Sequence, residues 1–153
     1  MKNTHFLLTK NTELVTKVFP KSFIGRVDGS KTTSLKDFFS EIAVALNFPE
    51  DSGSNLDALD EMLNDLEWIV TPKVIVLISN SNEWLLKEKS IDKILTVLDI
   101  LDATAEDWKW MDEEEGISKK ELKIIFEDSA RIRKLLEEQE IPFGDITSDT
   151  ETA

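Results

Sequence analysis

Val74-Ile75-Val76-Leu77-Ile78 is the stretch that decides the fold. Successive residues of a strand face opposite sides, so an unbroken apolar run describes a strand buried on both faces, as parallel strands are. Parallel strands need long crossovers, usually helical, and helical patterns lie on either side. Downstream, Asn80-Ser81-Asn82 reads as a turn. Ile91, Ile94, Leu95, Leu98 and Leu101 then recur as the inner face of a helix starting near residue 91. Leu122-Lys123-Ile124-Ile125-Phe126 reads as another strand. An amphipathic helix over about 130–140 follows, with Ile132, Leu135 and Leu136 on a packed face rather than a dimer seam. Upstream, Phe23-Ile24-Gly25-Arg26-Val27 is a short strand closed by the turn signal Asp28-Gly29. Ser34-Leu35-Lys36-Asp37 has the form of a capping box. It opens a helix with Leu35, Phe38, Phe39, Ile42 and Leu46 on one side, which stops before Pro49.

Strands alternating with helices predict a single α/β domain with a three-layer-like arrangement. Its sheet has about three parallel strands, joined by right-handed crossovers and flanked by helices. Residues 23–127 form that domain. Residues 1–22 read as an irregular N-terminal extension, 103–118 as an acidic loop inserted in the domain, and 128–153 as a C-terminal helix with a polar tail.

The chain has 153 residues, 41% of them hydrophobic and 32% charged, an ordinary globular composition. It has no cysteine, which removes disulfides, thiolate metal ligands and thiol nucleophiles together. The single histidine, His5, reads as lying at a loose terminus, and there is no tyrosine, so a histidine base or tyrosine acid inside the domain is not expected. The five glycines form neither a GxGxxG nor a P-loop pattern. A calcium loop beginning at Asp51 fails, because Leu56 and Met62 stand where it needs Gly and Glu. No cofactor and no metal are expected, and no enzymatic activity. The N-terminal apolar run, Phe6-Leu7-Leu8, is too short for a signal peptide or a membrane span. The reading is a cytoplasmic protein, a monomer when free, with no membrane partner.

Net charge is -13, and it is unevenly spread. Residues 37–72 hold nine acids and no Lys or Arg, whereas residues 1–36 hold seven Lys or Arg and two acids. A cation-free stretch of that length does not suit direct contact with nucleic acid; it attracts a cationic partner. Acidity also serves solubility, its ordinary meaning on composition alone.

The helix inside this segment starts near Ser54 or Asn55 and runs to about Glu67. Leu56, Leu59, Met62, Leu63 and Leu66 form its apolar face, and Asp57, Asp60, Glu61, Asp65 and Glu67 lie opposite. Asp57, Glu61 and Asp65 are spaced four apart, so like charges are neighbours with no lysine to offset them. Local explanations exist: Asp57 stands three after Ser54, as in a capping box, acids are favoured near a helix N-terminus, and an outer helix face is often simply solvated. Of the tryptophans, Trp84 is expected in the core, while exposure of at least one of Trp108 and Trp110 would supply an aromatic contact.

Phe48-Pro49, Gly53, Asn55-Leu56-Asp57-Ala58-Leu59, Leu63 and Asp65-Leu66-x-Trp68 together resemble the signature of barstar-like ribonuclease inhibitors. The strand–helix–loop–helix–strand order around them agrees. The resemblance implies inhibition by mimicry: loop and helix enter a nuclease active site, and helix carboxylates take the places of RNA phosphates. By position, Asp57 matches the first helix acid of the family. Glu61 matches the second, usually Asp, which makes the dominant contact with the nuclease's cations. Gly53 lets the loop backbone approach closely, and Asn55 caps the helix or donates to the partner. Asp51 and Ser52 replace the family's paired loop tyrosines, and Asp60 replaces a frequent helix aromatic. Glu61 is one methylene longer than the usual acid, a shift of roughly 1.5 Å. The partner-binding set is thus Asp51, Ser52, Gly53, Asn55, Asp57, Asp60 and Glu61, a more electrostatic and less anchored surface. The implied partner is a basic secreted-type ribonuclease or related toxin. Two other readings stand beside this one: an immunity protein of the same fold against a toxin that is not a ribonuclease, and a hydrolase using paired carboxylates with a divalent metal.

Overall fold

The structure is a computed structural model that describes residues 5–48, 55–110 and 120–146, except for the side chain of Trp110. Five parallel strands form one sheet in the order β2-β3-β4-β1-β5. In chain order the elements are β1 (Phe6–Thr9), α1 (Glu13–Val18), β2 (Phe23–Asp28), α2 (Leu35–Ala45), α3 (Leu56–Leu63), β3 (Lys73–Ser79), α4 (Ile91–Trp110), β4 (Glu121–Glu127), α5 (Ala130–Glu138) and β5 (Phe143–Ile146). The three expected strands are β2, β3 and β4. The other two come from the extensions at either end of the chain.

Strand β3 behaves as its sequence demands. Val74, Val76 and Ile78 point into a larger core under α2, α3, α4 and α5, while Ile75 and Leu77 point into a smaller one under α1. The handedness of crossovers accounts for this division. Passing from β1 to β2 moves across the sheet in the opposite direction to the steps β2-β3-β4 and β4-β5, so a right-handed connection puts α1 on the opposite face. Trp84 is fully buried, as expected, edge-on to Phe38 at 5.5 Å and to Phe126 at 5.0 Å. Ile132, Leu135 and Leu136 of α5 are buried in the larger core.

Several expectations need correction. From residue 5 on, the N-terminal extension is not irregular: β1 lies inside the sheet, hydrogen-bonded between β4 and β5, and α1 covers the second face. His5 is not loose, since its Nε2 lies 2.6 Å from Glu106 Oε1 on α4. Residues 103–110 are not loop but the last turns of α4, where Ala105 and Trp108 continue the buried stripe of Leu101. Residues 111–118 of that segment lie outside the described residues. Ile91, at the start of α4, is 47% exposed rather than on the inner face. The start of the polar tail forms β5.

Candidate partner-binding site

Helix α2 ends in a Schellman arrangement. Phe48 N–H donates to Ala43 O at 2.8 Å, Asn47 N–H donates to Val44 O at 3.2 Å, and Asn47 takes a positive φ of 55°. The chain therefore turns out of the helix just before Pro49, as the proline required. Residues 49–54 lie outside the described residues, and with them Asp51, Ser52 and Gly53 of the expected site.

Helix α3 begins at the other side of that segment. Asn55, not Ser54, is the capping residue: its Oδ1 accepts from Ala58 N–H at 2.8 Å. Asp57 accordingly sits in the first helical turn, where the helix dipole favours an acid. The helix stops at Leu63, earlier than expected. The chain then winds through Leu66, at a positive φ of 50°, so that Leu66 still reaches the core.

One side of α3 is locked. Leu59 and Leu63 are buried, Leu56 is half-buried against the same core, and Trp108 donates its Nε1–H to Leu63 O at 2.8 Å from α4. Trp108 is thus a buried brace for the C-terminal end of α3, not the exposed aromatic the sequence allowed. The other side is open: Asp57, Asp60 and Glu61 are all exposed. Asp60 Oδ1 accepts from Asn64 Nδ2 at 3.0 Å within the same helix. Among the described residues the side chains of Asp57 and Glu61 have neither a hydrogen bond nor an ion pair. The site geometry is therefore a helix braced from behind, whose outward carboxylates are not neutralised by the described part of the chain.

The ends of the intervening loop are tied by a contact that sequence reading did not single out. Trp68 donates its Nε1–H to Leu46 O at 2.8 Å, and its ring stands edge-on to Phe48 at 5.9 Å. Phe48 precedes residues 49–54 and Trp68 follows α3, so this clasp sets both flanks of the loop–helix. Beyond it, Lys120 is buried and donates from Nζ to Ile69 O at 2.5 Å and to Thr71 O at 3.3 Å, which fixes the return to β3; burial pulls its pKa down.

The carboxyl ends of β2, β3 and β4 are where an open α/β sheet would ordinarily bind a small ligand. Here internal bonds cross-link them and leave a small cavity of about 190 Å³ beside Asp28 and Ser79. Asp28 accepts from Asn80 Nδ2 at 2.9 Å, Ser30 Oγ–H at 2.7 Å and Ser30 N–H at 2.9 Å, and these donors, Asn80 foremost, hold its carboxyl below the usual range. Asn80 N–H donates to Glu127 Oε1 at 2.6 Å, and Ser81 Oγ–H donates to Glu127 O. Among the described residues no group of three or more His, Asp or Glu is placed to hold a metal ion, and no helix is long and apolar enough to cross a membrane.

A parallel sheet flanked by helices, with the inner face of α3 packed on the core and its acidic face outward, defines an α/β protein. Comparison with protein families agrees: the family described as Barstar (barnase inhibitor) matches residues 23–127. The chain belongs to the barstar family. Among solved structures, the Aeropyrum pernix ORC2 protein (ADP form) is similar at 11% identity and a TM-score of 0.50, over 95% of this chain and 42% of that one. At such identity the likeness concerns the fold alone, and the chain spans less than half of that structure. Comparison with curated proteins gives no match.

Proposed function

We propose that this protein is a stoichiometric inhibitor of a basic ribonuclease, closing the enzyme's active site with the segment 51–61. Membership in a family of barnase inhibitors supplies the class of partner. The observation that carries the reading is the state of α3. Its carboxylates at Asp57 and Glu61 are exposed and free of internal partners among the described residues, on a helix braced from behind by Leu59, Leu63 and Trp108. Like charges four apart are mildly unfavourable in an isolated helix, and a cationic cleft removes that cost on binding. Asp51, Ser52 and Gly53 extend the contact through the loop, Asn55 orders the junction, and Asp60 widens the acidic face. A preformed anion array loses little conformational freedom on docking. The place of action is the cytoplasm, and the free protein is a monomer. The test is titration of a barnase-type ribonuclease with the purified protein. Activity is expected to fall linearly to zero at one inhibitor per enzyme; undiminished activity at a large molar excess would overturn the reading.

A specific observation favours the second reading, an immunity protein directed at a toxin that is not a ribonuclease. Asp51, Ser52 and Asp60 remove the aromatic contacts of the family's usual surface, and Trp108, which could have replaced them, is only 3% exposed. Binding to a basic toxin without effect on any ribonuclease would decide for that reading.

A further inference from the structure

Residues outside the barstar match build a cavity. It lies at the carboxyl ends of β1 and β5, beside the start of α5, and has a volume of about 510 Å³. That falls in the range of roughly 300–1,000 Å³ typical of small-molecule sites. Its apolar lining is Leu8 on the α5 side of the sheet edge and Leu14 and Ile146 on the α1 side; its rim is charged, formed by Lys10, Arg133, Asp128 and Asp145. All seven positions fall outside residues 23–127, so the cavity is wholly a product of the two extensions. It also stands where the chain changes face: α1 leaves the carboxyl end of β1 on one side of the sheet, and α5 leaves that of the neighbouring β4 on the other. Such switch points are where open α/β sheets take ligands.

The rim is prearranged. Arg133 grips Asp128 with two hydrogen bonds, Nε to Oδ1 at 2.8 Å and Nη2 to Oδ2 at 3.1 Å, and Nη2 reaches Asp145 Oδ1 at 2.6 Å. Its guanidinium lies over the Phe143 ring at 5.6 Å. Among the described residues the Lys10 ammonium, Arg133 Nη1 and Asp145 Oδ2 make no hydrogen bond, and Lys10 acts on Asp128 only through its charge. Two can donate to an anion and one can accept from a cation. The four rim charges sum to zero, in a protein whose net charge of -13 repels free anions.

From this set we infer that the cavity binds a small zwitterion with an apolar body, of the class of apolar α-amino acids. The carboxylate meets Lys10 and Arg133 Nη1, the ammonium meets Asp145, and the side chain covers Leu8, Leu14 and Ile146. The site is separate from α3 and does not rest on the inhibitor reading. The experiment follows backbone amide resonances of the full-length protein during titration with L-leucine. Two analogues run in parallel: 4-methylpentanoate, which lacks the amine, and 3-methylbutylamine, which lacks the carboxylate. L-Leucine is expected to shift the amides of Leu8, Lys10, Leu14 and Ile146, and to bind about tenfold more tightly than either analogue, the effect of one charge-assisted hydrogen bond. Lys10→Met, at an exposed position, is expected to weaken leucine binding by about the same factor while leaving the other amide resonances in place. Absence of shifts at these amides, equal binding of L-leucine and either analogue, or unchanged binding in Lys10→Met would each overturn the assignment.

Discussion

Asn55 and Trp68 hold the loop–helix by single hydrogen bonds, and each makes a residue-scale prediction. Asn55→Ala removes the cap on Ala58 N–H and is expected to cost about 1 kcal/mol, read as a lower denaturation midpoint at unchanged slope. Trp68→Phe keeps a ring against Phe48 but leaves Leu46 O without its donor, at an expected cost of roughly 1–3 kcal/mol. Amide exchange accelerated at Leu59 and Leu63 relative to β3 would show that the loss is felt in α3 rather than everywhere. Asp128 sets the acid limit. Its carboxyl is held below the usual range, first by the side-chain hydrogen bonds from Arg133. A carboxylate with a depressed folded pKa stabilises the fold fully above its unfolded value, about 3.9, and loses that contribution as pH falls through the folded pKa. Asp28 acts in the same direction. Unfolding free energy measured in urea is therefore expected to drop as pH is taken below about 4, and to drop less in Asp128→Asn. Equal acid sensitivity in the variant would show that the Arg133 pair is not responsible.

At the scale of elements, those whose signals are local were legible in the sequence. Strand β3 needed only its apolar run. Helix α2 needed its period, the Ser34 cap on Asp37 N–H and the approach of Pro49. The acidic face of α3 was legible from spacing alone. The residues that brace it were not, because Trp68 meets a carbonyl 22 positions away and Trp108 one 45 positions away. Strands β1 and β5 have four residues each, too few for a period to show, and they exist by pairing with distant segments such as Phe6 opposite Ile124 and Phe143. The end of α4 did carry a signal, since Leu101, Ala105 and Trp108 fall on one helical stripe; the surrounding acids made it look like a loop. Packing between α2 and β2 gives a prediction of its own. A Cβ added at Gly25 would meet Leu46 Cδ2 at 2.7 Å and Ala45 O at 2.9 Å, so Gly25→Ala is expected to destabilise the fold by about 1–3 kcal/mol in thermal or urea unfolding.

For the whole molecule, the barstar match covers three of the five strands, and the other two make the sheet continuous past β4. Because β1 is paired on both edges, removing residues 1–22 would strip the partner from β5 and uncover Ile125 and Leu77 under α1. We expect the shortened chain to unfold at a markedly lower temperature than the full chain, with β5 lost; an unchanged transition would mean that the three-strand unit is self-sufficient. Binding of a nuclease by this protein would turn on charges that point away from the fold. The direct measurement is the dissociation constant of the complex with the inhibited nuclease, for the full chain and for the double variant Asp57→Ala, Glu61→Ala. Both side chains are exposed and without internal partners among the described residues, so stability is expected to stay within about 0.5 kcal/mol. Affinity is expected to fall at least about 100-fold, with a weaker salt dependence of association. A double variant that binds as tightly as the full chain, at the same salt, would contradict the claim that these carboxylates occupy the enzyme's cationic cleft.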